Sequence, residues 1–478
     1  MKAHWFGALV IIAAAPLQAA DERSDAVQTW VEANVPEMMR AARLPGFAIA
    51  VVRDGETIYT DVFGARDLAK NLPVTTDTLF GIGSITKSFV AISILQLAEQ
   101  GKLTLDDPVS KHLPFKLGKP GEPILIRHFL THSSGFPSLR GFGEDASIPI
   151  SSADDFFRFV NGASSEIAFL PGEHFFYNNG AYQMLGAIIQ EVSGMPFHEY
   201  VTENVIRPLG MKRSTFNVDQ FNADPDHITP YLKNADGNEP TDFPFPNPEH
   251  NPSYSFRSAA GGITTSVTEM SRYANMLIEQ GRYPGGQLIS QRSMREMQRI
   301  HIREPDGYYG ITGYGFGLRV TPNFLGEALI DHGGRVVSTA RISFLPSEKI
   351  GIVMMGNSDG MYRDYPLIAE AVLAILMGKD PETAIPVLGI RRRMEQLEGS
   401  YATYRNLLTL DIVNDGGLMY LKRGRNGSPV PLIPEDPTYR VLDFYTLTDG
   451  KKSPINARIN DEGQISVLMG RYVYHKKF

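Results

Sequence analysis

Two hairpin patterns, one early and one late, constrain this chain most, because each is backed by a helical pattern on its outer side. The early helical pattern covers Ala26–Leu44, where Val27, Trp30, Val31, Val35, Met38, Met39 and Ala42 recur at helical spacing. Pro45-Gly46 ends it. Phe47–Val52 and Thr57–Phe63, joined at Asp54-Gly55, then predict a β-hairpin. The late hairpin is expected over Val336–Leu345 and Lys349–Met355, turning at Pro346-Ser347-Glu348, with a helix following at Pro366–Met377. Helix–hairpin at one end and hairpin–helix at the other predict an antiparallel sheet built from both ends, an α+β plan with the middle inserted.

The middle, about 80–300, reads as helical patches joined by Pro/Gly-rich loops. Its clearest helices are Ser84–Gln100, stopped by Gly101, and Ala181–Val192, stopped by Gly194. Residues 217–257 are rich in proline, asparagine and aspartate and are expected to form a long loop. After Gly378 the composition changes. Residues 379–396 read as a linker. From 397 to 478 short β-like runs alternate with the turn signals Asn414-Asp415-Gly416, Asn426-Gly427 and Asp461-Glu462-Gly463, which predicts a small all-β barrel or sandwich.

Composition excludes several classes. The 478 residues are 42% hydrophobic and 21% charged, as expected of a folded globular chain. The net charge of -7 offers no basic footprint for nucleic acid. There is no cysteine, which removes disulfides, thiolate catalysis and cysteine-held metals. Met1-Lys2, the apolar run Trp5–Ala15 and the small residues up to Ala20 predict a cleavable signal peptide over 1–20. The run is shorter than the roughly 20 residues needed to span a bilayer, so no stable membrane anchor is expected. Export to a bacterial periplasm or the outside follows.

Within GIGSITKSFV, Ser84 and Lys87 stand three apart at a helix start, and no other S-x-x-K occurs in the chain. A serine hydroxyl needs a base and an oxyanion hole to act as a nucleophile. One turn of helix brings Lys87 beside Ser84. The helix start supplies an unsatisfied Ser84 N–H and disfavours a cation, pushing the lysine towards its neutral form. The same pattern also fits a serine N-cap followed by an exposed lysine, so on these residues alone both readings stand.

The wider sequence resembles the serine β-lactamase and penicillin-binding-protein superfamily, in its class C-like branch. The matching stretches are GIGSITKSFVAISILQLAEQGKLTLDDPVSKHLP, ILIRHFLTHSSGFP, PGEHFFYNNGAYQMLGAIIQEVSG, RPLGMKRSTF, SAAGGITTSVTEMSRYANML, YGFGL and DHGGRVVS, in the family's order over about 25–378. The resemblance implies a β-lactamase/transpeptidase-like sheet flanked by helices, followed here by a lipocalin-like β-barrel. It makes Tyr177 of Tyr177-Asn178-Asn179 the phenolic partner of Lys87. Either of the two could be the base, with two nearby cations or a dry pocket acidifying the phenol. Asn179 would hold the lysine and the substrate amide. The bare Y-x-N triplet is not informative, since Tyr273-Ala274-Asn275 fits it too.

The family's third element usually reads K-T-G. Here it is His332-Gly333-Gly334, leading into the strand at Val336, with the Arg335 N–H completing the oxyanion hole. A histidine is mostly uncharged at neutral pH and anchors a substrate carboxylate less well than lysine. The variant resembles D-amino-acid-specific aminopeptidases and related esterases, which also often carry an added β-barrel. The expectation is therefore an exported serine hydrolase forming an acyl-enzyme at Ser84, with peptide or amide substrates ahead of esters and β-lactams. No cofactor or metal is implied, and a homo-oligomer is among the expected partners. A catalytically silent binding or scaffold protein is the alternative outside enzymes. Two other patterns are decoys. Gly356-Asn357-Ser358-Asp359-Gly360 matches the α/β-hydrolase elbow but lacks the required order of acid and histidine after it. His128 and His132 stand four apart without the glutamate of a zinc helix.

Overall fold

The computed structural model describes residues 15–477 apart from 117, 120, 137–149, 235–236, 246, 425–426 and 438. Most of the expected signal peptide, residues 1–14, lies outside the described residues. The chain forms two compact units, 1–378 and 379–478.

The first unit is built on an antiparallel sheet. Its strands are β1 (Gly46–Arg53), β2 (Glu56–Asp67), β3 (Leu72–Pro73), β4 (Ile302–Arg303), β5 (Gly313–Tyr314), β6 (Arg319–Phe324), β7 (Glu327–Arg335), β8 (Thr339–Leu345) and β9 (Ile350–Gly356). The spatial order is β4-β5-β6-β7-β8-β9-β1-β2-β3. The two hairpins meet where β1 pairs with β9, from Phe47↔Gly356 to Arg53↔Ile350. Every residue of β8 and β9 is buried, and all but Arg53 of β1, so these central strands are covered on both faces and carry continuous apolar runs.

Alternation sorts the two faces. Ala48, Ala50, Val52, Val353 and Met355 join the large core beneath the inserted helices. The opposite parity places Phe47 against Tyr365, with ring centroids 5.6 Å apart. That second face is packed by α1 (Ala15–Ala42) and the terminal helix Tyr365–Leu376. Asn357 ties the seam. Its Oδ1 accepts from Gly46 N (2.7 Å), a fully buried bond, and its Nδ2 donates to Ala65 O (3.0 Å).

Between β3 and β4 lies the inserted helical region. A 3-10 turn, Gly83–Ile85, runs into α2 (Thr86–Glu99), so the expected Ser84–Gln100 helix begins as a tighter turn. From Thr86 to Leu95 every residue of α2 is buried, as suits a helix apolar all round. Against it packs α3 (Asn179–Ser193), ended by left-handed Gly194.

Three expectations need correction. Residues 217–257 are not one loop. They hold a helix at Val218–Ala223, the paired strands Tyr231–Lys233 and Asn238–Pro240, and 3-10 turns at Pro248–His250 and Pro252–Ala260. The asparagines that suggested a loop are helix caps: Asn217 accepts from Asp219 N and Gln220 N, and Asn247 from Glu249 N. His332-Gly333-Gly334 does not precede a strand but lies within β7, and Val336–Ser338 is the turn into β8. The 379–396 linker is helical, at Pro381–Ala384 and Pro386–Leu397. Proline at a first helical position starts a helix rather than breaking one. Met394 and Leu397 enter the core of the second unit, while Arg391 and Arg392 are exposed.

The second unit continues as a nearly closed all-β barrel from Gly399 to Lys476, with the first strand, Gly399–Ala402, paired to the last, Tyr472–Lys476. Tyr401, Leu410, Ile412, Leu421, Phe444, Ile455, Val467 and Tyr474 fill it. Among the described residues, no helix is long and apolar enough to cross a membrane.

Asn357→Ala strips partners from Gly46 N and Ala65 O at the sheet seam. It is expected to destabilise the first unit by about 2–3 kcal/mol, read as a lower denaturant midpoint with unchanged slope.

Candidate active site

Ser84 is the middle residue of the Gly83–Ile85 turn, which lies against the end of β7. Gly83 takes a left-handed φ of 49°, and a Cβ there would come 2.7 Å from Arg335 N. A Cβ on Gly334 would collide with the Ile82 carbonyl oxygen and sit 3.3 Å from Ser84 N. Glycine on both sides lets the two backbones meet.

Lys87 follows one turn later and is fully buried, because α2 is. Its Nζ lies 2.9 Å from Ser84 Oγ, 2.8 Å from Asn179 Oδ1 and 2.7 Å from the Ala260 carbonyl oxygen. Burial pushes its pKa well below the usual lysine range, since desolvation penalises the ammonium. An ammonium donates to all three oxygens. The neutral amine keeps two N–H bonds for Asn179 and Ala260 and turns its lone pair to Ser84.

Tyr177 supplies the other side. The Lys87 Nζ lies 4.9 Å from its ring centroid. A dry pocket was expected to acidify this phenol, and that sign is wrong. Burial is the largest effect and drives its pKa up, with the Ser84 side chain opposing it. The phenolate, like the ammonium, is the form that loses hydration. Lys87 and Tyr177 are therefore pushed apart, towards neutral amine and protonated phenol.

The asparagines of Tyr177-Asn178-Asn179 divide their work. Asn178 caps α3, accepting from Ala181 N (3.2 Å) and donating to the Phe136 carbonyl (2.7 Å). Asn179, first in the helix, faces Lys87.

His332 is 5% exposed. Its Nδ1 lies 2.7 Å from the Gly333 carbonyl, which can only accept, so Nδ1 carries the proton. Nε2 then accepts from Tyr314 Oη at 2.9 Å. Burial first, then the charges of Lys87 and Arg319, bring its pKa down to about 3. Both ring nitrogens are thus engaged within the protein, and the ring is neutral. The Arg335 guanidinium is half exposed, 2.6 Å from Asp359 and over the Tyr362 ring at 5.9 Å. A Cβ on Gly333 would meet the Tyr362 hydroxyl at 3.0 Å.

Residue-type reasoning missed Ala260, Tyr314 and Tyr362. Ala260 acts through a carbonyl, which no side-chain pattern reports. The small-residue run Ser258–Gly262 was the available signal of close approach, since a Cβ on Gly261 would come 3.4 Å from Gly83 C. Of the decoys, Ser358 is wholly buried. Tyr273 stacks on Phe89 at 3.8 Å and donates to Ser88 Oγ. His128 Nδ1 accepts from Leu125 N and His132 Nδ1 from Asn178 N, so the two histidines serve separate backbone positions.

The model of the Beta-lactamase family matches residues 31–377. The chain belongs to that family. This β-lactamase-family member is a serine-hydrolase homologue within the β-lactamase and penicillin-binding-protein superfamily. Residues 381–475 match the Pab87 octamerisation domain. The octameric penicillin-binding protein homologue from Pyrococcus abyssi is 34% identical with a TM-score of 0.80, over 94% of this chain and 99% of that one. A β-lactamase/D-alanine carboxypeptidase from Pseudomonas syringae shares the fold, at 21% identity and TM-score 0.59, over 74% of this chain and 99% of that one. Protein flp of Staphylococcus aureus (strain MW2) is 28% identical over 340 residues, 70% of this chain and 64% of that protein. The match therefore spans less than two thirds of the staphylococcal protein's length.

Gly334→Ala is expected to slow fluorophosphonate labelling of Ser84 by about a hundredfold or more, because its Cβ drives β7 off the Ser84 turn. Gly333→Ala meets only the end of the Tyr362 side chain and is expected to be milder.

Proposed function

We propose that this protein is an exported serine hydrolase that works through an acyl-enzyme at Ser84. The observation that carries the reading is the buried Lys87 amine, 2.9 Å from Ser84 Oγ with its other directions taken by acceptors. Ser84 Oγ attacks the substrate carbonyl and passes its proton to Lys87. The opposite pKa directions of Lys87 and Tyr177 favour the lysine as base and the phenol as donor. The proton returns to the leaving group through Tyr177, whose own proton is replaced from Lys87. The Ser84 and Arg335 amides receive the oxyanion. Water, deprotonated by the same pair, then releases the acyl group and frees Ser84.

The neutral, internally bonded His332 supports amide or peptide substrates without a carboxylate beside the scissile bond, ahead of esters and β-lactams. The family variant with histidine here points to D-residue peptides. Export rests on the Met1–Ala20 pattern. Homo-oligomer formation is supported by the octamerisation-domain match and the octameric relative. Light scattering of the mature protein is expected to give a multiple of the chain mass.

Ser84→Ala is expected to abolish fluorophosphonate labelling and to cut turnover of D-aminoacyl amides by about 10⁴-fold or more. Equal labelling of wild type and Ser84→Ala, or none of the wild type, overturns the enzyme reading in favour of a binding protein. A cephalosporin turned over faster than the amides overturns the substrate reading. Activity requires neutral Lys87, so it is present above that group's depressed pKa and lost as pH falls through it. A kcat profile with its acid limb far below the lysine range near 10.5 is expected.

A further inference from the structure

We propose that His132 is a positioning residue that holds Tyr177 against Ser84 and Lys87; the inference rests on the acyl-transfer reading above. His132 follows the short helix Ile126–Leu130 and is completely buried. Its backbone carbonyl accepts from Phe176 N at 2.6 Å, and its Nδ1 accepts from Asn178 N at 3.0 Å. The amides on either side of Tyr177 are therefore both held by this one residue. Its ring faces the Tyr177 ring, with centroids 4.1 Å apart.

The following residues extend the clamp. Gly172 N donates to Ser133 O (2.7 Å), Ala168 N to Gly135 O (3.0 Å) and Asn178 Nδ2 to Phe136 O (2.7 Å). A Cβ on Gly135 would collide with the Phe169 carbonyl oxygen, so the two segments lie in backbone contact. His132 also reaches beyond Tyr177. Its ring centroid is 4.9 Å from Tyr314, whose hydroxyl donates to His332, and 4.9 Å from Tyr182, whose hydroxyl donates to the Leu130 carbonyl.

Two costs are concentrated here. His132 takes a left-handed φ of 55°, which L residues rarely adopt. Because Nδ1 accepts, the ring proton sits on Nε2, and Nε2 is buried with no hydrogen-bond partner among the described residues. A strained backbone and an unpaired donor persist together where surrounding structure over-determines a conformation, as happens around active sites. An apolar side chain of similar size would avoid the unpaired donor but leave the Asn178 amide without its acceptor.

The test compares His132→Leu, which keeps bulk without an acceptor, with His132→Asn, whose Oδ1 can take the place of Nδ1. His132→Leu is expected to lower kcat and the labelling rate about a hundredfold with KM changed by about a few-fold, and to speed amide exchange at residues 176–178. His132→Asn is expected to retain activity within about tenfold and to keep those amides protected. Wild-type exchange and rate in His132→Leu overturn the proposal. So does a folded His132→Asn as impaired as a folded His132→Leu, with folding read from the melting transition. If His132→Leu does not fold, His132→Gln, whose acceptor lies one bond too far, takes its place with the same expectations. Equal labelling of wild type and Ser84→Ala would sink acyl transfer instead, and amide exchange would still decide the clamp.

Discussion

An amine kept away from water is the constraint around which the first unit is organised at its working end. Lys87 sits on a helix buried on every side. Nothing but protein oxygen is left to satisfy it, and three oxygens from three separate segments converge on Nζ. Burying a cation without a counter-charge costs enough that the group gives up its proton instead. The same dryness raises the Tyr177 phenol and lowers His332. One physical cause thus sets the protonation state of the lysine, tyrosine and histidine, and each ends neutral.

Those segments all belong to the helical region inserted into the sheet. The β1–β9 pairing joins chain ends that lie far apart in sequence, and Asn357 locks the seam with side-chain bonds to β1 and β2. β7 then presents a glycine pair to a turn that itself contains a left-handed glycine. No side chain with a Cβ could hold the backbones of β7 and the Ser84 turn this close. The geometry of the site is in that sense a consequence of omitted atoms.

Much of this was legible beforehand. Both hairpins, the flanking helices and the Ser84–Lys87 spacing follow from periodicity and helical geometry, which act over a few residues. Residues 217–257 and 379–396 were misread for a common reason. Asparagine and proline mark loops and helix starts alike, and only the presence of a following apolar stripe packed on a core separates the two. The sign of the Tyr177 shift was also out of reach, since it depends on the balance of burial against neighbouring charges. His132 looked like half of a failed metal pair, and its ties to the two amides flanking Tyr177 are long-range contacts that leave no periodic trace.

The sequence by itself determined the α+β plan, the family and the placing of Ser84 one helical turn before Lys87, because these are carried by local spacing and by ordered motifs. Tertiary structure decided which protonation states the site holds, that His332 is turned inward to Tyr314 and Gly333, and that a carbonyl at Ala260 completes the lysine's shell. Those outcomes depend on solvent exclusion and on backbone atoms common to every residue, and neither is written in residue type.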